Sequence, residues 1–175
     1  MKKLIIVCHP NIEESTINKR WVEELEKYPD NFTIHNIYKT YPDGVINVEK
    51  EQKLMDEFDT VIFQYPLYWF NCPPLLKQWM DDVYTYGWAY GSKGNQMKGK
   101  KIALAISAGI KENEFQENGE WKVTMEQLIL PFKTSAFYTK SDFRGHFVLY
   151  DSHNALRSNA LEESAKRYID FIMNI

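Results

Sequence analysis

The hydrophobic pattern of the chain alternates between short apolar runs and longer segments with helical spacing. Continuous apolar runs without a polar face are typical of parallel strands that are buried on both sides. Such runs occupy 4–8 and 60–65, and the segment 100–107 contains another, I-A-L-A-I. An imperfect alternation at 32–38 predicts an outer strand, and 137–150 holds a fifth strand, most clearly at 147–150. The pattern therefore predicts five strands.

Helical spacing of apolar residues predicts the helices between these strands. Ser15 and Thr16 are suited to cap the first helix, and Thr124 is suited to cap another, which Pro131 should end or kink. The predicted helical segments are 16–28, 48–57, 75–83, 124–132 and 158–172. Because strands and helices alternate throughout, right-handed crossovers favour a doubly wound α/β fold, a parallel sheet with helices on both faces.

The stretch 59–91 organises these elements. Its strand is followed by Pro66, which has no N–H to donate and so stops the ladder, whereas Pro73 and Pro74 suit the first turn of a helix. Between strand and helix lies an aromatic loop, Leu67, Tyr68, Trp69 and Phe70. Ligands of open α/β sheets bind beyond the carboxyl ends of the strands, where a rigid aromatic loop is suited to a flat ring. The residues leave open that these side chains are ordinary core, although a loop bounded by prolines favours the surface.

Composition narrows the class of protein. The 175 residues predict one domain over 1–175, and 44% hydrophobic content is enough for a core. A net charge of −3 does not indicate the basic surface that is typical of nucleic-acid-binding proteins. The aromatic content of 15% fits binding of a flat ligand or a large dimer interface, and does not choose between them.

Few residues suggest metal binding or export. Cys8 and Cys72 lack metal-type spacing, and we interpret them as inert, reduced thiols of a cytoplasmic protein. His35, His146 and His153 also lack the spacing of metal ligands and receive no role, so no metal is predicted. The opening apolar run is too short for a signal peptide, and no stretch approaches the length of a membrane span.

The segment P-L-Y-W-F-N-C-P-P-L-L-K-Q-W-M-D-D-V-Y-T-Y-G-W-A-Y-G, beginning at Pro66, resembles the signature of the NAD(P)H:quinone oxidoreductase family. Similar short bacterial members include ancillary flavoproteins of potassium-efflux systems and general-stress NAD(P)H oxidoreductases. The resemblance extends from Lys3 to the C-terminal helix. It implies a flavodoxin-like fold with strand order 2-1-3-4-5, which periodicity cannot supply. In that order, His9 and 65–70 face each other across one crevice.

The resemblance implies FMN as the cofactor, held by three segments. The first matches the family's flavin-phosphate loop, with His9, Ser15, Thr16, Ile17 and Asn18. A loop before a helix offers free N–H groups to a phosphate, and the side chains of Ser15, Thr16 and Asn18 add donors, although the residues alone also fit a plain helix cap. The second is the aromatic loop, which in the family contacts the isoalloxazine ring through backbone groups. FAD is less favoured, because the long relatives that bind it carry an extra C-terminal region.

The third segment is Ser107, Ala108, Gly109 and Ile110, which matches the family's T-T-G-G turn. Its N–H groups would point at the flavin edge that becomes negative on reduction, and preorganised donors stabilise such charge. The backbone of Gly109 and Ile110 is therefore the predicted charge stabiliser. Ile110 replaces the second glycine, so the backbone freedom of the turn should differ.

The sequence departs from the family just downstream. Many relatives have an aromatic residue and then a histidine that polarises substrate and flavin, but here Phe115 lacks a hydroxyl and 118–121 contains no histidine. No catalytic side chain is assigned, since hydride transfer is chiefly cofactor chemistry. Tyr90 matches a tyrosine that reaches across a homodimer, although a surface or core tyrosine fits as well. The predicted substrate pocket comprises Trp69, Tyr90 and Phe115.

These features lead to one main hypothesis and two alternatives. The main hypothesis is an FMN-dependent NAD(P)H:quinone oxidoreductase, in which a hydride passes from NAD(P)H through flavin N5 to a quinone-like acceptor in a ping-pong order. The first alternative is a regulatory ancillary subunit, peripherally associated with a membrane antiporter of potassium efflux. The second is an azo- or nitroreductase, which differs only in the acceptor. The sequence does not choose among acceptors, nor between NADH and NADPH.

Overall fold

The strands form one parallel sheet. The computed structural model describes residues 2–156 and 158–175. The sheet has five strands in the order β2-β1-β3-β4-β5, and each neighbouring pair is parallel. The strands are β1 (Lys3–Val7), β2 (Phe32–Asn36), β3 (Thr60–Pro66), β4 (Lys101–Ser107) and β5 (Asp142–Leu149). The predicted flavodoxin-like order is confirmed.

Helices cover both faces of this sheet. The α-helices are α1 (Thr16–Leu25), α2 (Ile37–Thr40), α3 (Val48–Asp56), α4 (Pro74–Val83), α5 (Met125–Leu128), α6 (Leu130–Tyr138), α7 (Ser152–Ala155) and α8 (Ala160–Met173). Short 3-10 turns occur at Ile12–Glu14 and Glu112–Glu114. Within the described ranges, no helix is long and apolar enough to cross a membrane.

Each face of the sheet has its own core. On one face, Trp21 of α1 and Tyr168 of α8 pack together with ring centroids 5.1 Å apart. On the other face, Trp79 of α4 and Phe132 of α6 both contact Phe63 of β3. Because β3 lies between these cores, all seven of its residues are buried, which accounts for its continuous apolar run.

The structure corrects the prediction for the region before β5. The predicted range of the fifth strand begins at Phe137, but α6 runs through Tyr138 and β5 begins at Asp142. Both side chains are mostly exposed, at 76% and 67%, so their apolar character does not reflect burial in the sheet. Pro131 has the predicted effect, since α5 ends at Leu128 and the proline lies in the first turn of α6.

A buried carboxylate ties the edge strand to two helices. Glu51 of α3 is fully buried and accepts hydrogen bonds from the hydroxyl of Tyr41 (2.6 Å) and from Nε1 of Trp79 (2.8 Å). Its Oε2 also lies 2.9 Å from Nε2 of His35 on β2. Burial raises the pKa of Glu51, but the bonds from His35, Tyr41 and Trp79 outweigh it and hold this pKa below its usual value.

We predict that Glu51→Gln lowers the free energy of unfolding by about 3 kcal/mol at pH 7. The side-chain NH2 group of glutamine would face groups that now donate to the carboxylate, so donors would meet donors. A depressed folded pKa gives stability that is present above the unfolded pKa and is lost as pH falls. The difference between the two proteins should therefore shrink as pH falls below about 4. Urea unfolding across pH measures it, with exposed Glu49→Gln on the same helix as the control. A constant difference down to the lowest pH would contradict the role of the carboxylate charge.

Candidate functional site

Three loops meet at the carboxyl ends of the central strands. Since β3 lies between β1 and β4, the loops that follow these strands are neighbours. The rings of His9 and Tyr68 contact each other with centroids 6.5 Å apart, and the N–H of Leu67 donates to the carbonyl of Ser107 (2.8 Å). The sheet thus brings together the predicted site segments 9–18, 67–70 and 107–110.

A buried polar cluster lies beneath these loops. Asn18 is only 1% exposed, and its Nδ2 donates to Oγ of Ser107 (2.9 Å). Nε2 of Gln64 donates to the backbone carbonyl of Asn18 (3.1 Å). Oε1 of Gln64 is buried and has no partner among the described residues. A buried acceptor left unpaired costs about 1–3 kcal/mol, so this atom calls for a donor from outside the chain.

Gln64 was missed by sequence reasoning, although a signal was present. It is the polar interruption of the otherwise apolar β3, three residues before the aromatic loop. A polar residue inside a strand that is buried on both sides needs a hydrogen-bonding partner, and its position near the carboxyl end points to the ligand site.

The first loop ends in the predicted helix cap. Oγ of Ser15 accepts from the backbone N–H of Asn18 (3.1 Å), while the N–H groups of Thr16 and Ile17 have no acceptor within residues 2–156 and 158–175. These free donors at the positive end of α1 suit an anion. The side chain of Asn18 differs from expectation, because it faces the protein interior and is not an exposed donor to a phosphate.

The aromatic loop is a strained two-residue turn. Tyr68 and Asn71 exchange backbone hydrogen bonds of 2.8 and 2.9 Å, and between them Trp69 and Phe70 have φ of 48° and 59°. Such turns favour Asn-Gly, and bulky residues in this conformation cost about 1–3 kcal/mol each. Oδ1 of Asn71 accepts from the N–H of Cys72 (2.8 Å), which helps to fix the turn. Strain that is retained in this way is typical of a functional position.

Phe70 packs against the connection that follows β4. Its ring lies 6.4 Å from that of Phe115 and 5.9 Å from that of Trp121, as centroid distances. Phe115 also contacts Tyr150, at 5.7 Å, and is only 2% exposed. Phe115 therefore supports Phe70 from the interior. The sequence predicted that Phe115 would line the substrate pocket, but its side chain is not open to solvent. Trp121, which is partly exposed, is the aromatic residue that borders the site here.

The turn after β4 keeps two free donors. The N–H of Ala108 is occupied, since it donates to the carbonyl of Leu149 (2.9 Å). In contrast, the N–H groups of Gly109 and Ile110 find no acceptor in the described part of the chain. Neither residue has a positive φ, so isoleucine at the second position is compatible with the turn. Of the predicted donors in this turn, these two remain available.

His9 contributes a neutral imidazole. Its Nδ1 accepts from the N–H of Asn11 (3.1 Å), which leaves the ring hydrogen on Nε2. Burial lowers the pKa of His9 and reinforces the neutral form.

The two free thiols are also uncharged, because burial raises the pKa of Cys8 far above its usual value and that of Cys72 to about 11. Inert thiols agree with the sequence interpretation.

Tyr90 lies beside an exposed aromatic patch. Its ring contacts Tyr86 at 5.9 Å and Tyr138 of α6 at 5.3 Å, as centroid distances. The exposed apolar side chains of this segment and of α6, here called the aromatic patch, are Tyr86 and, on α6, Leu130, Phe137 and Tyr138. Large exposed apolar surfaces usually mark interaction sites. Tyr90 therefore lies next to exposed aromatic side chains, and its predicted role across an interface stays a prediction.

Comparison with known proteins gives the same fold. The family described as having a flavodoxin-like fold matches residues 1–172. The uncharacterised NAD(P)H oxidoreductase YrkL of Bacillus subtilis is 43% identical over 172 residues, which cover 98% of each chain. The glutathione-regulated potassium-efflux system ancillary protein KefG of Enterobacter sp. is 30% identical over 171 residues, 98% of this chain and 92% of the relative.

Two solved structures are similar over nearly the whole chain. General stress protein 14 of Treponema denticola, in complex with FMN, has a TM-score of 0.94 and 44% identity, with 99% of both chains covered. An NADPH-quinone reductase from P. pentosaceus has a TM-score of 0.89 and 31% identity, with 100% of this chain and 99% of that chain covered. On the evidence of its sheet order, its three converging loops and these relatives, the chain belongs to the family with the flavodoxin-like fold.

Proposed function

We propose that this protein is an FMN-dependent NAD(P)H oxidoreductase that reduces quinone-like acceptors. The observation that carries the proposal is a set of polar groups at the carboxyl ends of β1, β3 and β4 that find no partner within residues 2–156 and 158–175. They are the N–H groups at the start of α1, the N–H groups of Gly109 and Ile110, and Oε1 of Gln64. The FMN complex of general stress protein 14 and the NAD(P)H oxidoreductase relative support the choice of cofactor and reductant.

The residues present fit FMN. The free N–H groups of Thr16 and Ile17 would hold the phosphate, since the start of α1 carries a partial positive charge. A ribityl hydroxyl would supply the donor that Oε1 of Gln64 lacks. The aromatic loop and the turn after β4 would hold the ring between them. When bound, FMN supplies two-electron chemistry by taking a hydride from NAD(P)H and passing it to the acceptor.

The chain supplies orientation and charge stabilisation. The N–H groups of Gly109 and Ile110 are fixed donors for negative charge on the reduced ring, and fixed donors need no reorganisation during the reaction. Trp69 is 94% exposed on its rigid turn and is available to cover a flat substrate. With Trp121 it limits the access of water to the ring. Because one crevice serves both substrates, we expect a ping-pong order.

The protein also acts as a homodimer in this proposal. The aromatic patch is more apolar than a free surface needs to be, and Tyr90 lies at its edge. A second copy that covers this patch would bring Tyr90 toward the substrate pocket of its partner. We expect the dimer to be cytoplasmic.

A second candidate function is supported by one departure from the family. Phe115 is buried and has no hydroxyl, and 118–121 contains no histidine, so the site lacks the side-chain acid that the family resemblance leads us to expect. An ancillary subunit, attached peripherally to a potassium antiporter, would need to bind flavin but not to turn over rapidly. The relationship to KefG is consistent with this role. Azo- or nitro-compounds are alternative acceptors for the main proposal.

The first functional prediction concerns flavin and turnover. Purified protein should be yellow and should release FMN on heating. NADPH or NADH should bleach the bound flavin without oxygen, and menadione should restore the colour, since donor and acceptor share one crevice. Stopped-flow absorbance under nitrogen measures both half-reactions. Bound flavin without reduction would favour the ancillary subunit, whereas a colourless protein that cannot be reconstituted would contradict both functions.

A second prediction separates the phosphate from the ring. Ser15→Ala should weaken the binding of FMN about 10- to 100-fold and the binding of riboflavin much less. The predicted bond from the Ser15 hydroxyl goes to the phosphate, which only FMN has, and a hydrogen bond to a charged group is worth about 1.5–3 kcal/mol. Asn18→Ala should weaken both ligands similarly, since its amide joins α1 to Ser107. Isothermal titration gives these affinities. Thr124→Ala removes a comparable helix cap on α5 and is the control. Equal losses of both ligands in Ser15→Ala would show that this residue is only a cap.

The third prediction tests the dimer. Phe137→Glu should convert a homodimer into monomers, because it buries a charge in the aromatic patch. Light scattering at micromolar concentrations measures the mass. Val45→Glu, an equally exposed apolar position before α3, should leave the dimer intact. A monomeric wild-type protein with full activity would contradict the interface.

A further inference from the structure

The loop that follows β5 is fixed on the turn after β4. The N–H of Asp151 donates to the carbonyl of Ile110 (3.0 Å), and the N–H of Ser152 donates to the carbonyl of Ala108 (3.1 Å). Together with the bond from Ala108 to Leu149, three backbone hydrogen bonds join the two segments. The position of residues 149–153 is therefore determined by the turn that carries the free donors.

A strained residue directs this loop. Asp151 has φ of 52°, in the left-handed region, which costs a residue other than glycine about 1–3 kcal/mol. Its two carboxylate oxygens accept from Nδ2 of Asn154, each at 3.0 Å, which holds the conformation. The left-handed residue turns the chain sharply from β5 into α7 and places His153 against the turn. A conformation that is stabilised in this way at a ligand site suggests a functional reason.

The imidazole of His153 lies over Gly109. A β-carbon added at Gly109 would lie 3.5 Å from Nε2 and 3.7 Å from Cδ2 of this ring. Gly109 has no positive φ, so its conformation does not require glycine. The missing side chain instead leaves nothing between the imidazole and the backbone of the turn. A ring nitrogen thus lies next to Gly109, the first of the two residues whose N–H groups have no acceptor among the described residues.

We propose that His153 is a third donor of this turn and sets the reduction potential of the flavin. The inference rests on the flavin site proposed above. Transfer of a hydride from NAD(P)H to FMN yields NAD(P)⁺ and a reduced ring with one negative charge, and no other reactant is required. A donor beside that charge stabilises the reduced ring more than the neutral oxidised ring. His153 then supplies part of the stabilisation that Phe115 and Trp121 cannot provide.

The experiment measures the midpoint potential of bound FMN at one fixed pH, together with the dissociation constant of oxidised FMN. The proteins are the wild type, His153→Ala and His153→Gln. For His153→Ala we expect reduced FMN to bind about tenfold more weakly relative to oxidised FMN, which lowers a two-electron potential by about 30 mV. His153→Gln keeps an N–H donor and should recover at least half of this change.

The control for position is Gly109→Ala. Its methyl group would lie between the turn and the imidazole, so it should lower the potential in the wild type and have a smaller effect in the His153→Ala background. Circular dichroism verifies that each variant is folded, and His153→Gln still tests the donor if the alanine variant is not.

The outcomes separate this inference from the proposed function. An unchanged midpoint potential in His153→Ala, or equal weakening of the binding of oxidised and reduced FMN, would show that His153 only packs on the turn. Either result would overturn this inference and leave the proposed function intact. Failure of glutamine to recover any of the change would also overturn the donor role. A wild-type protein that binds no flavin would overturn the proposed function, and this inference with it.

Discussion

The ligand end of the sheet depends on one buried amide, that of Asn18. It joins α1 to the end of β4 through Ser107, while Gln64 of β3 donates to its backbone carbonyl. Because these bonds lie in a region closed to water, losing any one leaves a buried polar group that costs about 1–3 kcal/mol. The loops after β1, β3 and β4 therefore keep a fixed relation to one another. Oε1 of Gln64, which has no partner in the part of the chain that the structure describes, is what this arrangement leaves for a ligand to satisfy.

Backbone strain at this end follows the same logic. Trp69, Phe70 and Asp151 are residues other than glycine in the left-handed region, and all belong to loops at the carboxyl edge. Packing of Phe70 on Phe115 and Trp121, and the bonds from Asn154 to Asp151, offset part of the cost. Packing and hydrogen bonds thus keep these residues in a strained backbone conformation. The site is therefore preorganised, which favours the binding of a rigid, flat molecule.

The apolar residues Phe115 and Trp121 change how charge must be handled in this protein. A site without an acid at those positions relies on hydrogen-bond donors, such as the N–H groups of Gly109 and Ile110. The neutral imidazole of His9 is a further donor near the loop, since burial lowers its pKa. An enzyme and a flavin-binding regulatory subunit would differ in how strongly such donors favour the reduced ring. The chemistry of this turn is therefore where the two proposals separate.

Local patterns in the sequence determined much of the fold. The largely apolar run of β3, the cap at Ser15 and the prolines at the start of α4 all lie where predicted, because each reflects the backbone's own preferences or burial on both sides. Family resemblance added the strand order. The order then explains why segments far apart in sequence form one crevice.

Other features were decided only by tertiary structure. Phe137 is helical and exposed although its sequence suggests a strand, since the continuation of α6 and the aromatic patch override local propensity. Asn18 faces inward because Ser107, 89 residues away, accepts its bond. His153 had no motif to mark it, and its proposed role depends on β5 lying beside β4. A sequence records what each residue prefers, but packing decides which distant residues meet.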